Sequence, residues 1–246
     1  MKKITIGLGL FMLSHILFAQ GGWIEAGLKG GYGVNFLINK NYYSDHNFSP
    51  KLSFGYMFGG KIGINFNETH SVTIDVTSSV FEQKFNYSTL NADSVTRTIY
   101  SGSIGYNSLD FLLMYRKASD GGYIEIGPQY SMVAKVRLKD EANSAANTTD
   151  VASNMVKSYY SAVFGFGGYL VGTENFRVTI GFRAAYGLTD IISSVGKQNN
   201  FPVPNEYPAY KPTHPLTGMM VMEMNYDIGY FARSKCKKRK VRFLLF

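Results

Sequence analysis

The chain has 246 residues, a formal net charge of +8, and 18 Tyr, 18 Phe and 26 Gly against a single Cys and a single Trp. One cysteine excludes a fold that depends on disulfide bonds. The positive charge does not describe the whole chain, because seven basic residues and no acidic one follow Ala232. Without these residues and without Lys2 and Lys3, the chain has 16 basic and 17 acidic residues. This balance does not support a nucleic-acid-binding protein.

The amino terminus has the pattern of a secretory signal peptide, predicted over residues 1–19. Met1 is followed by two lysines, residues 4–18 are mostly apolar, and Ala19 is a plausible cleavage point. The apolar run is shorter than the about 20 residues that a membrane-spanning helix needs. We therefore expect export, a mature domain over residues 20–232, and a basic periplasmic tail over residues 233–246.

The mature region predicts eight β-strands in which apolar and polar residues alternate. The alternation covers about residues 24–36, 54–66, 72–87, 99–116, 122–138, 156–171, 176–190 and 216–230. It is clearest in FRVTIGFRAAYGLTD, where Arg177 and Arg183 lie opposite Ile180 and Phe182. A period of two residues is the signature of a strand with two different faces.

Local irregularities are expected in three strands. The apolar face changes parity near Val80 and Phe81, which suggests a β-bulge or a strand that leaves the membrane. It changes again between Tyr106 and Leu109. A further bulge is expected at Pro128, because proline cannot donate a hydrogen bond to the ladder.

The connections between the strands alternate between long and short. Long polar loops follow the first, third, fifth and seventh strands, and the short turns NETHS, KASDG and GTEN join the others. An even number of strands in an up-and-down meander puts both termini at the short-turn end. The pattern predicts an all-β protein, an eight-stranded antiparallel transmembrane β-barrel of the outer membrane, with short periplasmic turns and long external loops.

A soluble eight-stranded barrel of the lipocalin type is the main alternative fold. The interior of an eight-stranded barrel is small and close-packed, and the strands carry too many aromatic rings on one face to fit there. We therefore expect this face to contact lipid, with Tyr near the membrane interfaces.

The opposite faces then predict a network of charges in the lumen. We interpret it as a salt-bridged core rather than an ion path, because eight strands leave no aqueous channel and an unpaired buried charge is costly. The predicted members are Glu25, Lys29, Lys61, Asp75, Asp110, Arg116, Glu125, Lys135, Arg137, Arg177, Arg183, Glu223 and Asp227.

Several segments resemble a known family. They are YNSLDFLLMYR (106–116), YIEIGPQYS (123–131), AAYGLTDI (184–191) and the Met- and Tyr-rich last strand. Over about Gly21 to Tyr230 the chain resembles the PorT-like outer-membrane β-barrel family of Gram-negative bacteria, which implies the same fold and location. Such barrels commonly stop at an aromatic residue near Tyr230 or Phe231, whereas this chain continues through SKCKKRKVRFLLF to Phe246.

The expected function is a structural, adhesive or secretion-accessory role of the external loops, without a continuous pore. The alternative is a barrel enzyme that acts on lipid A or phospholipid, with His46, beside Asp45, or His214 as the base near the outer rim. His70 lies in a short turn. The spacing of these residues fixes no Ser–His–carboxylate set, so we expect no catalytic residue, cofactor or metal.

The expected partners follow from the location. They are outer-membrane lipid and lipopolysaccharide, the barrel-assembly machinery, and an envelope or secretion partner, but no nucleic acid. The basic run KKRKV would contact anionic lipid or a partner, or be disordered, and Cys236 is expected to be an unpaired thiol. The proline-rich loop over residues 201–215 is either a recognition surface or a protease-resistant connection.

Overall fold

The computed structural model of the protein describes residues 22–91, 95–142, 149–173, 175–199, 201, 209–230 and 242–243. The predicted signal peptide, Cys236, the KKRKV run and residues 202–208 of the proline-rich loop lie outside these residues. Within the described ranges, no helix is long and apolar enough to cross a membrane.

Eight long strands close into one antiparallel barrel. In chain order the elements are β1 (Trp23–Ile38), α1 (Lys40–Ser44), β2 (Phe48–Lys51), β3 (Ser53–Asn65), β4 (His70–Leu90), β5 (Arg97–Ala118), β6 (Gly122–Asp140), β7 (Thr149–Asp150), a 3-10 turn (Ala152–Asn154), β8 (Ser158–Gly172), β9 (Phe176–Gly187), α2 (Ser194–Gln198), β10 (His214–Tyr230) and β11 (Arg242–Phe243). The ring order is β1, β3, β4, β5, β6, β8, β9, β10, and β10 pairs with β1. The short strand β2 pairs with β4 beyond β3, after a register shift of one residue between β2 and β3. The predicted up-and-down barrel is confirmed.

The two ends of the barrel differ as the loop lengths predict. The short connections β3–β4, β5–β6 and β8–β9 lie at one end, and there Trp23 of β1 pairs with Tyr230 of β10. The other end carries α1, β2, β7, the 3-10 turn and α2. At the short-turn end, β11 pairs with the last residues of β8, so that part of the predicted tail adds a strand there.

β4 and β5 are the longest strands, with 21 and 22 residues. They pair in a single register from His70–Lys117 to Leu90–Arg97. The odd-numbered residues of β4 point inward from Thr73 to Tyr87. β4 therefore has no bulge near Val80, which leaves the other expected cause of the parity change, a strand that continues beyond the membrane. The lumen side of the strand changes from polar residues to aromatic ones, while the geometry of the strand stays regular.

The register of β6 breaks six residues after Pro128. Asn107 pairs with Lys135 and Ser108 with Val133, which leaves Ala134 as the extra residue of a bulge. The register on the two sides of Pro128 is the same. The bulge predicted at Pro128 is therefore wrong, because the strand accommodates the missing N–H by a local loss of ladder pairing without a shift.

The outer surface of the barrel is a broad apolar belt. Exposed outward side chains include Leu28, Phe58, Ile62, Ile74, Leu113, Ile126, Phe164, Phe166, Phe182, Met220, Met222, Met224 and Ile228. Tyrosines pair across strands nearer the long-loop end: Tyr32 pairs with Tyr56 and Tyr130 with Tyr160, and Tyr186 stacks on His214. A belt with tyrosines at its edge is the surface of a barrel in contact with lipid.

The first prediction tests this surface with Phe182, which is 42% exposed and pairs with Phe166 and Met220 on the neighbouring strands. Phe182→Arg should lower the free energy of unfolding by about 2–4 kcal/mol, because a charge near the middle of the bilayer is poorly solvated. Phe182→Leu, which keeps an apolar surface, should change it by less than about 1.5 kcal/mol. The measurement is chemical denaturation in phospholipid bilayers, and equal stability of the Arg variant and the wild type would contradict a lipid-facing belt.

Candidate functional site

The short-turn half of the lumen contains a network of ten charged side chains, which we call the ionic core. Its members are Glu25, Asp75, Glu125, Glu223, Asp227, Lys29, Lys61, Arg116, Arg177 and Arg183. The set has five acids and five bases, so its formal charge is zero. Every member lies on a strand of the ring and points inward because the side chains of a strand alternate between its faces.

Glu223 of β10 is the centre of the ionic core. Its carboxylate oxygens lie 2.9 Å from Lys29 Nζ, 3.1 Å from Lys61 Nζ and 2.9 Å from Arg116 Nη2. The hydroxyl of Thr179 is 3.5 Å away. Glu223 is 1% exposed, so these contacts replace the water that a carboxylate would otherwise bind. One side chain thus connects β10 with β1, β3 and β5.

A second layer of contacts surrounds Glu125 and Asp75. Arg116 Nη2 donates to Glu125 at 2.7 Å, and Arg183 Nε donates to the other oxygen of the same carboxylate at 2.9 Å. Arg183 also reaches Asp75 at 3.3 Å, and Lys29 forms a short ion pair with Asp75. Each of the two planar guanidinium groups bridges two carboxylates through separate N–H donors.

The remaining members close the ionic core near the short-turn end. Arg177 pairs with Glu25 and, at 2.9 Å, with Asp227, and Lys61 Nζ lies 2.9 Å from Glu25. A cavity of about 20 Å³ adjoins Arg177 there, which is room for about one water molecule. In this half of the barrel the space is therefore filled rather than open.

Two glycines make room for the aromatic ring of Tyr123, which covers the ionic core. The Tyr123 ring centroid is 3.9 Å from Arg116 Cζ. A Cβ atom added to Gly167 or Gly181 would lie 2.7 Å from the Tyr123 hydroxyl, closer than such atoms can approach. These glycines allow a large side chain to cross a narrow lumen, and sequence reasoning gave them no such partner.

The long-loop half of the lumen is filled by a different set of side chains, which we call the aromatic core. Its inward residues include Leu37, Met57, Phe81, Phe85, Tyr87, Ile104, Tyr106, Val136, Tyr159, Met219 and Val221, and loop residues such as Tyr42, Met155, Ile191, Ile192 and Phe201 pack on them. Phe81 and Tyr106 have ring centroids 5.2 Å apart. Sequence reasoning missed this core, although the change of parity near Val80 was its signal.

Asp110 lies in the lumen outside the ionic core. It is 2% exposed and accepts a hydrogen bond of 2.5 Å from the Ser79 hydroxyl. Among the described residues, no cation forms an ion pair with it, and its Oδ1 has no hydrogen-bond partner. It thus lies among neutral polar groups beside the aromatic core, apart from the charges with which it was predicted to pair.

Lys135 and Arg137 also lie outside the ionic core, because they face outward and are exposed. The bulge at Ala134 exchanges the two faces of β6, so that Val136 points into the lumen between them. The prediction that these two residues face the lumen is wrong for this reason. An inserted residue of this kind leaves no mark in the alternation of the sequence.

The connections at the long-loop end are held by hydrogen bonds among loop residues. Asn39 Nδ2 donates to Thr213 Oγ1 at 2.8 Å. Asp190 accepts from the Tyr210 hydroxyl at 2.6 Å and pairs with Lys197 at 2.9 Å. Partial burial would raise the pKa of Asp190, but these hydrogen bonds hold it below its usual value. The described parts of the first and last long loops therefore form an ordered rim over the aromatic core.

The three histidines of the described chain lie apart from one another in the structure. Nδ1 of His214 lies 2.9 Å from the Gly187 carbonyl oxygen, and its ring stacks on Tyr186. Nδ1 of His70 lies 2.6 Å from the Tyr115 hydroxyl, at the opposite end. His46 is exposed in the connection between α1 and β2. Within the described ranges, no group of three His, Cys, Asp or Glu could hold a metal ion.

A closed antiparallel ring with an apolar exterior and a filled lumen defines a small outer-membrane β-barrel. Residues 18–193 match the family described as outer membrane protein beta-barrel domain. Because this match covers most of the chain, the protein belongs to that family. A comparison with curated proteins found no match.

Solved structures give similarities of fold. Neisserial surface protein A is 9% identical, with a TM-score of 0.44 over 85% of this chain and 100% of that one. OprG from Pseudomonas aeruginosa is 11% identical, with a TM-score of 0.41 over 87% and 97%. Ail, the attachment invasion locus protein of Yersinia pestis, is 13% identical, with a TM-score of 0.36 over 84% and 99%.

The second prediction compares two acid-to-amide substitutions in the lumen. Glu223→Gln should lower the free energy of unfolding by about 3–5 kcal/mol, because Lys29, Lys61 and Arg116 keep their charges and lose the carboxylate that they share. Asp110→Asn should change it by less than about 1 kcal/mol, because the amide oxygen still accepts from Ser79. The measurement is denaturation in phospholipid bilayers. A larger loss for Asp110→Asn than for Glu223→Gln would contradict the role given to the ionic core.

Proposed function

We propose that the protein is a non-enzymatic outer-membrane β-barrel without a continuous pore, and that its long loops serve a structural, adhesive or secretion-accessory role outside the cell. The observation that carries this proposal is that the lumen is filled along its length. The ionic core occupies the short-turn half, and the aromatic core occupies the long-loop half. A barrel with a filled lumen supports its loops and does not let solutes pass.

The shape of the wall supports a role at the surface. A strand of about 9–11 residues crosses the membrane, whereas β4 and β5 have 21 and 22 residues. The outward side chains of β4 beyond Val80 are polar: Glu82, Lys84 and Asn86. Outer-membrane barrels have their long loops outside the cell. In that orientation, β4 and β5 extend the barrel beyond the lipid and offer a rigid surface to partners.

The finer parts of the proposal rest on the sequence. We propose export by a signal peptide over residues 1–19, on the pattern of its sequence, and assembly by the barrel-assembly machinery. Within the outer-membrane barrels, we propose a relation to PorT-like proteins on the segments of similar sequence. The envelope or secretion partner would bind the ordered rim that Asn39, Asp190 and Tyr210 hold together.

The third prediction concerns transport. The purified protein in planar lipid bilayers should show no large, steady conductance, because the two cores leave no water-filled path. A general porin recorded in the same salt solution provides the control for insertion and detection. Steady openings of porin size would overturn the filled-lumen proposal.

The fourth prediction concerns catalysis. His46→Ala and His214→Ala, singly and together, should leave lipid A acylation and phospholipid composition of the cells unchanged. His46 is exposed in a loop, and His214 contacts a backbone carbonyl and a tyrosine ring. Mass spectrometry of lipids from wild-type, deletion and substituted strains measures this. A lipid modification that disappears on deletion and in either histidine variant would replace the proposal with the enzyme alternative.

A further inference from the structure

Five basic side chains form a cluster on the outer surface of the wall, which we call the basic shelf. They are Lys51 of β2, Lys84 of β4, and Lys135, Arg137 and Lys139 of β6, and all are exposed. Three of them belong to β6 beyond the bulge at Ala134. The insertion that removes Lys135 and Arg137 from the lumen thus places them on this surface.

The strand register brings the basic shelf together. Lys51 pairs with Lys84, Lys84 pairs with Ser103, and Ser103 pairs with Lys139. Neighbouring strands are about 4.8 Å apart, so the backbones of Lys84 and Lys139 are separated by about 10 Å. Arg137 pairs with the next outward residue of β5, Gly105. The cations therefore lie in adjacent rows on one surface.

A groove of about 460 Å³ lies within the basic shelf. Its lining includes the bases Lys51, Lys84 and Lys139, the neutral polar residues Asn86, Ser101 and Ser103, and the acids Asp140 and Glu141. Ammonium groups combined with hydroxyl and amide donors suit an anion that accepts several hydrogen bonds at once. The volume exceeds that of a single ion and has room for a larger phosphorylated group.

Three acids lie beside the basic shelf, so its five bases outnumber the nearby acids but are partly offset by them. Lys84 and Glu82 are 3.9 Å apart and both exposed. The carboxylate of Asp140 accepts from the Tyr87 hydroxyl at 2.6 Å. Glu141 accepts from the backbone of Ser101 at 2.9 Å. Among the described residues, no ion pair involves the other four bases, so their charge is available to a ligand.

The position of the basic shelf on the wall indicates the source of the anion. The outward residues of β6 are apolar or aromatic through Tyr130 and Met132, and Lys135 follows about 10 Å beyond Met132. The shelf thus begins where the lipid belt ends, at the depth of the lipid headgroups. On the opposite wall, Leu188 directly follows β9 and Leu216 lies near the start of β10, so apolar side chains occupy the corresponding positions there.

We propose that the basic shelf binds the phosphorylated headgroup of an outer-leaflet lipid. The acyl chains of that lipid lie along the apolar belt of β4 to β6, and its phosphates lie in the groove between Lys84 and Lys139. The inference rests on the proposed placement of the barrel with its long loops outside. It assigns a ligand to a surface that the filled lumen and the rim do not use.

The test measures binding of bisphosphorylated lipid A to the full-length folded protein by native mass spectrometry. Dephosphorylated lipid A and inorganic pyrophosphate are the comparison ligands. The variant Lys84→Gln/Arg137→Gln/Lys139→Gln removes three charges from the basic shelf, and Lys40→Gln/Lys117→Gln/Lys211→Gln removes three exposed charges elsewhere. Lys84→Arg/Lys139→Arg keeps the charge and serves as the conservative variant.

The shelf variant should bind bisphosphorylated lipid A about 100-fold more weakly than the wild type, since each of the three bases contributes about 5-fold near an anionic surface. The control and the conservative variant should stay within about 3-fold of the wild type. The proposal would be overturned if the shelf variant bound bisphosphorylated lipid A as tightly as the wild type does. It would also be overturned if the wild type bound dephosphorylated and bisphosphorylated lipid A with the same affinity. If pyrophosphate binds as tightly as lipid A, the ligand of the basic shelf is a soluble anion and the lipid proposal is wrong.

Conductance of the same variants separates this inference from the proposed function. The substituted bases are exposed on the outer wall, so the lumen stays filled and the conductance stays low whether or not lipid binds. A loss of the closed state would count against the filled lumen, and a loss of lipid binding alone supports the basic shelf.

Discussion

Charge balance in a space without bulk water is the constraint on which this barrel depends. An isolated ion costs several kcal/mol when it leaves water, and that cost is offset only when each charge has well-placed partners. The ionic core meets this condition with equal numbers of acids and bases, and with Glu223 in contact with Lys29, Lys61 and Arg116. Because these residues come from different strands, the pairing also fixes how the strands are arranged around the lumen.

The lumen changes character along its axis, and each part serves a different end of the barrel. The ionic core cross-links the strands within the short-turn half. The aromatic core joins the wall to the loops, since Ile191, Ile192 and Phe201 belong to the same buried cluster as the strand residues Phe81 and Tyr106. The rim is therefore supported from below by close packing, and a partner would meet a surface that is already ordered.

The sequence predicted the fold well because two strong patterns agreed. Alternation defined the strands, and the contrast between long and short connections defined the meander. The same alternation predicted thirteen lumen charges, and ten of them form one network in the structure. Asp110 points inward but has no described ion-pair partner, whereas Lys135 and Arg137 point outward because of the insertion at Ala134. A bulge of one residue depends on pairing with the neighbouring strand, which a single strand's sequence does not reveal.

The position of Glu223 on β10 has a consequence for assembly. Its partners Lys29 and Lys61 lie on β1 and β3, so they meet this carboxylate only when the last long strand closes against the first. Until then, the two lysines and Arg116 lack a central counterion and require water. An open sheet of these strands is consequently poorly suited to lipid, and entry into the membrane and closure of the ring are energetically coupled. The ionic core thus stabilises the complete barrel relative to its partly assembled forms.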